Sequence, residues 1–122
     1  MKYTFFIALL FVLACQAAID KEQIYGTWKA AAFIDNGKKS EIDLTNVEFK
    51  FNPDGTYHYH GTLEMEESGR YYLTGKLLYT TDTTQTKGIE KSVKIAKLTA
   101  DSLFFQMNAG GVPQSFELYK AK

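Results

Sequence analysis

The residues of this chain best suited to bind a metal ion are its two histidines, His58 and His60. On a β-strand, residues two positions apart point to the same side, so both imidazoles could reach one ion. A protein zinc site usually takes three or four protein ligands. Glu64 is the next residue of the same parity that could serve as the third. Because the neighbouring tyrosines have the opposite parity, we expect the histidines to face solvent, and we predict no metal site and no cofactor.

The sequence shows no pattern typical of nucleophilic or phosphate-binding chemistry. A nucleophile needs a base within hydrogen-bonding reach, but no G-x-S-x-G segment is present and both histidines are expected on one exposed face. The Gly110-Gly111 pair lacks the following lysine and helix of a phosphate-binding loop. The adjacent acids Glu66 and Glu67 are expected to lie in a solvated turn. We therefore predict a protein without catalytic residues.

Short alternating segments separated by turn residues run through most of the chain. Residues 47–51 alternate strictly between apolar and charged types, which is typical of a half-buried strand. The segment 52–55 (NPDG) is typical of a tight hairpin turn, with residues 56–65 as the partner strand. Breaks are expected at 66–69, in a polar loop at 82–88 and in a flexible loop at 108–113. The other predicted strands cover 29–34, 70–74, 76–80, 89–98, 102–107 and 115–120.

About eight strands, adjacent in sequence and joined by short turns, predict an all-β fold. We expect an up-and-down antiparallel β-barrel, because sequential strands tend to pair and closure removes exposed strand edges. An open sheet or a small sandwich is the alternative architecture.

The inward parity of these strands carries apolar and aromatic side chains with several tyrosine hydroxyls, which could form a pocket for a hydrophobic ligand. The large side chains favour a mostly filled interior with a small cavity over a roomy one. Lys91 shares this parity between Ile89 and Val93, and we expect its amine to reach water at the barrel mouth, since burying a lone ammonium is costly. The candidate ligand-binding residues are Tyr57, Tyr59, Tyr71, Tyr79, Lys91 and Phe105. Other residues predicted to point inward include Val47, Phe49, Phe51, Leu63, Met65, Leu73, Leu77, Ile89, Val93, Ile95, Leu103, Met107, Phe116 and Leu118.

The first 14 residues have the pattern of a secretory signal peptide. Lys2 is followed by an unbroken apolar run from Phe5 to Ala14. As a helix this run would reach about 15 Å, half of a bilayer core of roughly 30 Å. It is therefore too short to span a membrane and has the length of a signal-peptide core, which predicts export.

The chain's single cysteine, Cys15, directly follows this run. Residues 12–15 (VLAC) resemble a bacterial lipobox, in which a peptidase cuts before the cysteine and the thiol carries a diacylglycerol lipid. Plain cleavage after Ala17 is the alternative. We predict a signal peptide at 1–14, a lipid-anchored tether at 15–23 and a barrel domain at 24–122.

Three segments together resemble one known family. They are Gly26-Thr27-Trp28, residues 51–57 (FNPDGTY) and residues 98–103 (LTADSL). With them the chain is similar to the small lipocalin-like lipoproteins common in Bacteroidota, over residues 24–120. The resemblance implies a calycin-type barrel, export and a ligand-binding role.

The resemblance also implies structural roles for two residues. In lipocalins the tryptophan of the G-x-W signature closes the barrel floor and the glycine permits tight chain entry, which assigns Trp28 and Gly26. The arginine that usually packs over the tryptophan is absent from the last strand, where Lys120 stands at inward parity and is expected to replace it through a cation–π contact. The chain is also shorter than a typical lipocalin, which argues against a large cavity.

These observations predict an exported, lipid-anchored binding protein for a small hydrophobic ligand, held at a membrane of the cell envelope, most simply the outer membrane. Without the lipid it would be secreted or periplasmic. The 14 basic and 14 acidic residues balance, so no nucleic-acid partner is expected, and we expect a monomer. The alternatives are an envelope interaction module or inhibitor built on a filled barrel, and an enzyme if His58, His60 and an acid open into a pocket.

Overall fold

The structure, a computed structural model, describes residues 20–84 and 88–121. The chain begins with a short 3-10 helix, Lys21–Ile24, and a second one covers Thr62–Glu64. The strands of this part of the chain are β1 (Gly26–Asp35), β2 (Lys38–Lys39), β3 (Glu48–Phe51), β4 (Thr56–His60), β5 (Glu66–Thr74), β6 (Leu77–Asp82), β7 (Glu90–Leu98), β8 (Ser102–Ala109) and β9 (Val112–Lys120).

Eight of these strands close into an antiparallel barrel. From β3 to β9 each strand pairs with the next, β1 pairs with β3, and β9 returns to pair with β1. The closing register runs from Trp28 opposite Lys120 to Asp35 opposite Gln114. The two-residue β2 adds to the far end of β1. The predicted all-β fold, with an up-and-down antiparallel barrel of about eight strands, is confirmed.

One end of the barrel is closed by the chain that enters it. The 3-10 helix ends at the fully buried Ile24, whose carbonyl oxygen accepts a hydrogen bond of 2.9 Å from the Trp28 indole N–H. The Lys120 ammonium lies 4.5 Å from the Trp28 ring centroid and donates to the Tyr25 carbonyl at 2.5 Å. We call this the floor of the barrel. The boundary predicted between residues 23 and 24 falls inside this helix.

Gly26 suits the floor mainly because of its backbone conformation. Its φ of +116° lies where side-chain-bearing residues are rarely found. A Cβ at this position would also approach the Lys120 Cε to 2.9 Å. The glycine therefore lets the chain enter β1 directly beneath the lysine.

The half of the interior next to the floor is filled with large apolar side chains. Trp28, Ile24, Leu103 and Leu118 have no exposed surface, and Phe51 stacks edge-on against Tyr71 with ring centroids 5.0 Å apart. The buried core continues along the barrel beyond this half, through Tyr57, Leu78, Ile95 and Phe105. Burial of these side chains removes apolar surface from water and so stabilises the fold.

The break predicted at residues 66–69 is wrong, because these residues begin β5 and pair with β4. The turn lies earlier, at 61–65, which leaves the predicted interior residue Leu63 exposed. Met65 is also 60% exposed, although it borders the interior. Gly69 explains how β5 continues here: a Cβ on it would lie 1.8 Å from the Thr81 carbonyl oxygen, so only glycine allows the two strands to approach.

The predicted inward orientation of Tyr79 and Leu77 is also wrong. The β5–β6 hairpin pairs Leu73 with Leu78 and Tyr72 with Tyr79. Directly paired residues point to the same side of a sheet, so the buried Leu78 faces inward. Tyr79 instead stacks on the exposed Tyr72 outside the barrel, with ring centroids 4.8 Å apart and an interplanar angle of 7°.

Two smaller differences between the predicted and the observed fold lie at the ends of strands. Ile89 precedes β7 and is exposed rather than interior. The predicted loop at 108–113 is mostly strand, since β8 and β9 pair up to Ala109 opposite Val112.

The predicted signal peptide and Cys15 lie outside the described residues. Across 20–84 and 88–121, the structure contains no helix with the length and apolar character needed to cross a bilayer.

Replacing Lys120 with methionine should destabilise the protein by about 1–3 kcal/mol. The change removes the cation over Trp28 and leaves the Tyr25 carbonyl without its charged donor. Lys29→Met is the matched control, because Lys29 is exposed and pairs only with the partly exposed Glu48 at 3.5 Å. Urea unfolding should show the difference between the two variants, and equal midpoints would contradict a structural role for Lys120.

Candidate functional site

The interior is hollow at the end opposite the floor. A pocket of about 270 Å³ opens there between β3–β4 on one side and β7–β9 on the other. Four of the six predicted ligand-binding residues meet in it: Tyr57, Tyr59, Lys91 and Phe105. The remaining lining residues are Phe49, Phe51, Met65, Glu67, Leu78, Thr80, Val93, Met107 and Phe116.

The other two predicted residues do not line this pocket. Tyr79 lies outside the barrel. Tyr71 is buried deeper, towards the floor, where its hydroxyl donates to the Asn52 carbonyl oxygen at 2.8 Å. Burial, more than the neighbouring charges, raises the pKa of Tyr71 to about 12. Tyr71 therefore acts as a core residue that fixes the β3–β4 turn.

Glu67 is a pocket residue that the sequence analysis missed. Its side chain is 17% exposed, and its carboxylate lies at the mouth of the pocket. One oxygen accepts from the Tyr57 hydroxyl at 2.5 Å and the other from the Lys91 ammonium at 3.2 Å. Its parity with Gly69 and Tyr71 along one strand was the signal that could have identified it.

Lys91 occupies the mouth of the pocket as expected. Its side chain is 56% exposed, so the ammonium meets water on one side and Glu67 on the other. The carboxylate thus holds together a flexible cation from β7 and a fixed hydroxyl from β4.

The Tyr57 hydroxyl stays a hydrogen-bond donor at all ordinary pH values. Burial first, and then the hydrogen bond to Glu67 and its charge, raise the pKa of Tyr57 well above its usual range. Burial and the Glu67 charge also raise the pKa of Tyr59. Neither phenol carries a negative charge near neutral pH, so Glu67 supplies the negative charge among these three groups.

The histidines lie on the outer face of the barrel, outside the pocket. His58 contacts the Ser68 hydroxyl at 2.7 Å through Nδ1 and the Glu66 carboxylate at 3.1 Å through Nε2. His60 lies 3.7 Å from the other Glu66 oxygen. Their nearest acid is therefore Glu66 rather than Glu64. Within the described ranges no three His, Cys, Asp or Glu side chains are arranged to hold a metal ion.

Exposed apolar side chains flank the open end of the barrel. Leu63 is 97% exposed and, like Glu64, has a positive φ, a conformation uncommon for residues with side chains. Leu63 and the exposed Ile42 line one shallow groove between the 40–47 loop and the 61–64 turn. The strained turn holds a leucine in water beside the mouth.

Comparison with known proteins agrees with this architecture. A family model described as a lipocalin-like domain matches residues 24–105. A lipocalin-like protein from Bacteroides uniformis has a similar structure, with a TM-score of 0.62 and 16% identity over 81% of this chain and 99% of that one. An uncharacterized protein from Bacteroides eggerthii gives a TM-score of 0.62 at 14% identity, over 80% and 99% of the two chains. No curated protein matches significantly.

The raised pKa of Tyr71 predicts a loss of stability in alkali. An unfolded tyrosine ionises near pH 10, whereas folded Tyr71 ionises at about 12. Its contribution is therefore complete below pH 10 and is lost as the pH rises from about 10 to 12. Urea unfolding at pH 9 and at pH 11 measures how far the free energy of unfolding falls between these pH values. The fall should be smaller in Tyr71→Phe than in the wild type by roughly 1 kcal/mol, allowing for partial solvent screening. An identical fall in the free energy of unfolding of both proteins would contradict the raised pKa of Tyr71.

Proposed function

The chain belongs to the lipocalin-like domain family, and on that premise we propose that it is an exported, lipid-anchored protein that binds a small hydrophobic ligand. The ligand occupies the pocket at the open end of the barrel. The observation that carries this proposal is the hollow of about 270 Å³ above a floor that is completely filled. Its lining leaves apolar surface accessible to water, and a ligand that covered this surface would gain the free energy of burying it.

The lining supports a ligand with an apolar body. Most of the residues around the hollow are aromatic or aliphatic, and a few polar groups lie at the mouth. Ligand pockets commonly combine an apolar lining with a few fixed polar groups, and they start near 300 Å³. The pocket therefore suits a small molecule rather than a long lipid.

Binding, rather than catalysis, is the role that the fold favours. The lipocalin-like family is in general a non-enzymatic binding fold, and the histidines of this chain lie on the opposite face of the wall from the pocket. We therefore assign the pocket no catalytic step.

An envelope interaction module is the second candidate. The exposed Leu63, beside Ile42 in the groove at the mouth, favours it, since exposed apolar groups frequently mark contact surfaces. In that case the groove would carry the function and the pocket would be incidental.

Filling the pocket should separate these two roles. Val93 lines the hollow, whereas its neighbour Lys94 is exposed on the outer face. Val93→Trp should abolish binding of a neutral apolar ligand such as 4-phenylbutanol, and Lys94→Trp should leave it intact. Calorimetric titration measures the affinities, and native mass spectrometry of gently purified protein should show a bound molecule in the wild type and in Lys94→Trp alone.

Thermal unfolding verifies that both variants fold, since an inserted side chain can cost about 1–3 kcal/mol. Equal binding by Val93→Trp and wild type would place the ligand elsewhere. A wild type that neither retains nor binds any apolar ligand would favour the interaction module.

We also propose that Cys15 carries the lipid. The first described residue, Asp20, lies next to the floor, because Lys21–Ile24 leads into the Trp28 contact. Five Cα–Cα steps separate Cys15 from Asp20 and span at most about 18 Å, so the lipid would keep the floor end near the bilayer. Two or more acyl chains anchor a protein stably.

Metabolic labelling with a fatty-acid analogue tests the anchor. Wild-type protein should be labelled and should fractionate with membranes, while Cys15→Ser should be unlabelled and soluble. Equal labelling of both proteins would contradict a lipid at Cys15. It would favour plain secretion after cleavage at Ala17 instead.

A further inference from the structure

A carboxylate stands in an otherwise apolar and aromatic pocket, and its position calls for an explanation. Keeping an ionised group in such surroundings is costly unless it is hydrogen-bonded. Glu67 receives one bond from Tyr57 and one from Lys91. A carboxylate offers about four acceptor sites, so these two bonds leave acceptor capacity that a ligand with N–H donors can use.

The aromatic rings of the pocket act in the same direction as this charge. Six of them line it: Phe49, Phe51, Tyr57, Tyr59, Phe105 and Phe116. The face of an aromatic ring is electronegative and attracts a cation within about 6 Å of its centroid. Phe49 contributes to a cluster with Phe105 and Phe116, at centroid distances of 5.5 and 6.1 Å. Once the Lys91 ammonium has moved into the solvent, the carboxylate favours a positively charged ligand group over a negative one. A ring adds to this preference only where the cation lies over its face.

Lys91 already occupies the position that such a group would take. Its ammonium lies 3.2 Å from Glu67, at the end of a long side chain that is more than half exposed. An ion pair with one exposed, flexible partner contributes little net stability. A ligand cation can therefore displace Lys91 into water while Tyr57 keeps the carboxylate in place.

We propose that the ligand is a small organic amine, whose ammonium replaces that of Lys91 against Glu67 while its apolar body lies among the rings. The inference rests on the proposed function and names the chemical class of its ligand. The size of the hollow fits a body such as one aromatic ring with a short alkyl chain.

Three probes with one body and different head groups test this inference. 4-Phenylbutylamine, 4-phenylbutanol and 4-phenylbutyrate should bind the purified protein at pH 7 in decreasing order of affinity, as measured by calorimetric titration. The amine should bind about tenfold or more tightly than the alcohol, which corresponds to one charge-assisted hydrogen bond.

Variants of Glu67 and Lys91 then test whether this ion pair at the mouth causes the preference for the amine. Glu67→Gln should weaken amine binding about tenfold and should weaken alcohol binding clearly less, because the alcohol carries no charge. Lys91→Met should strengthen amine binding severalfold, because it removes the competing internal cation. Glu66→Gln is the matched control: it is the preceding residue on the outer face of the same strand and should change neither affinity.

The outcomes distinguish this inference from the function on which it rests. Tightest binding of the carboxylate, or weaker amine binding in Lys91→Met, would overturn the amine assignment. Equal affinity of alcohol and amine would also overturn it but would leave the pocket as a binding site for neutral ligands. Absence of binding for all three probes would contradict both proposals.

Discussion

The pairing of β9 with β1 is the constraint on which the rest of the structure depends. It joins the last strand to the first and so removes the two edges that an open sheet of these strands would expose. The same pairing places Lys120 opposite Trp28, where the lysine covers the indole and reaches the Tyr25 carbonyl. The register between β1 and β9 therefore both closes the barrel and seals its floor.

A sealed floor divides the interior into two halves with different roles. Near Trp28 the side chains fill the space, and their burial supplies the apolar driving force for folding. At the far end, where Glu67 meets Tyr57 and Lys91, the wall encloses a hollow. Charge is tolerated there because the mouth is partly open to water and each charge has a partner. The fully buried side chains are thus concentrated at the floor end.

Much of this arrangement could be predicted from the sequence, and the failures have physical causes. The strict alternation of residues 47–51 fixed the faces of Phe49 and Phe51, and the G-x-W signature indicated the floor. Leu77, Leu78 and Tyr79 form a continuous apolar run, so parity alone could not decide which of them points inward. Only the pairing across the Gly75 hairpin decides this orientation, by setting Leu78 opposite Leu73.

For a similar reason the sequence did not predict that Glu67 lines the pocket. Glu66 and Glu67 are adjacent acids, and such a pair is typical of a turn, yet in a strand they point to opposite faces. Only the three-dimensional pairing shows that Glu67 points inward while Glu66 meets the histidines outside. The turn at 61–65, in which Leu63 and Glu64 have positive φ, could not be predicted either, because residues with side chains rarely adopt this conformation.

The barrel is hollow at its mouth and filled at its floor. Methyl-resolved NMR under xenon pressure tests it directly, because xenon enters apolar cavities whatever the natural ligand is. We expect concentration-dependent shifts at the methyl groups of Leu78, Val93 and Met107 and none at those of Leu103 and Leu118. Unchanged signals at the mouth, or shifts centred on the two floor leucines, would contradict it.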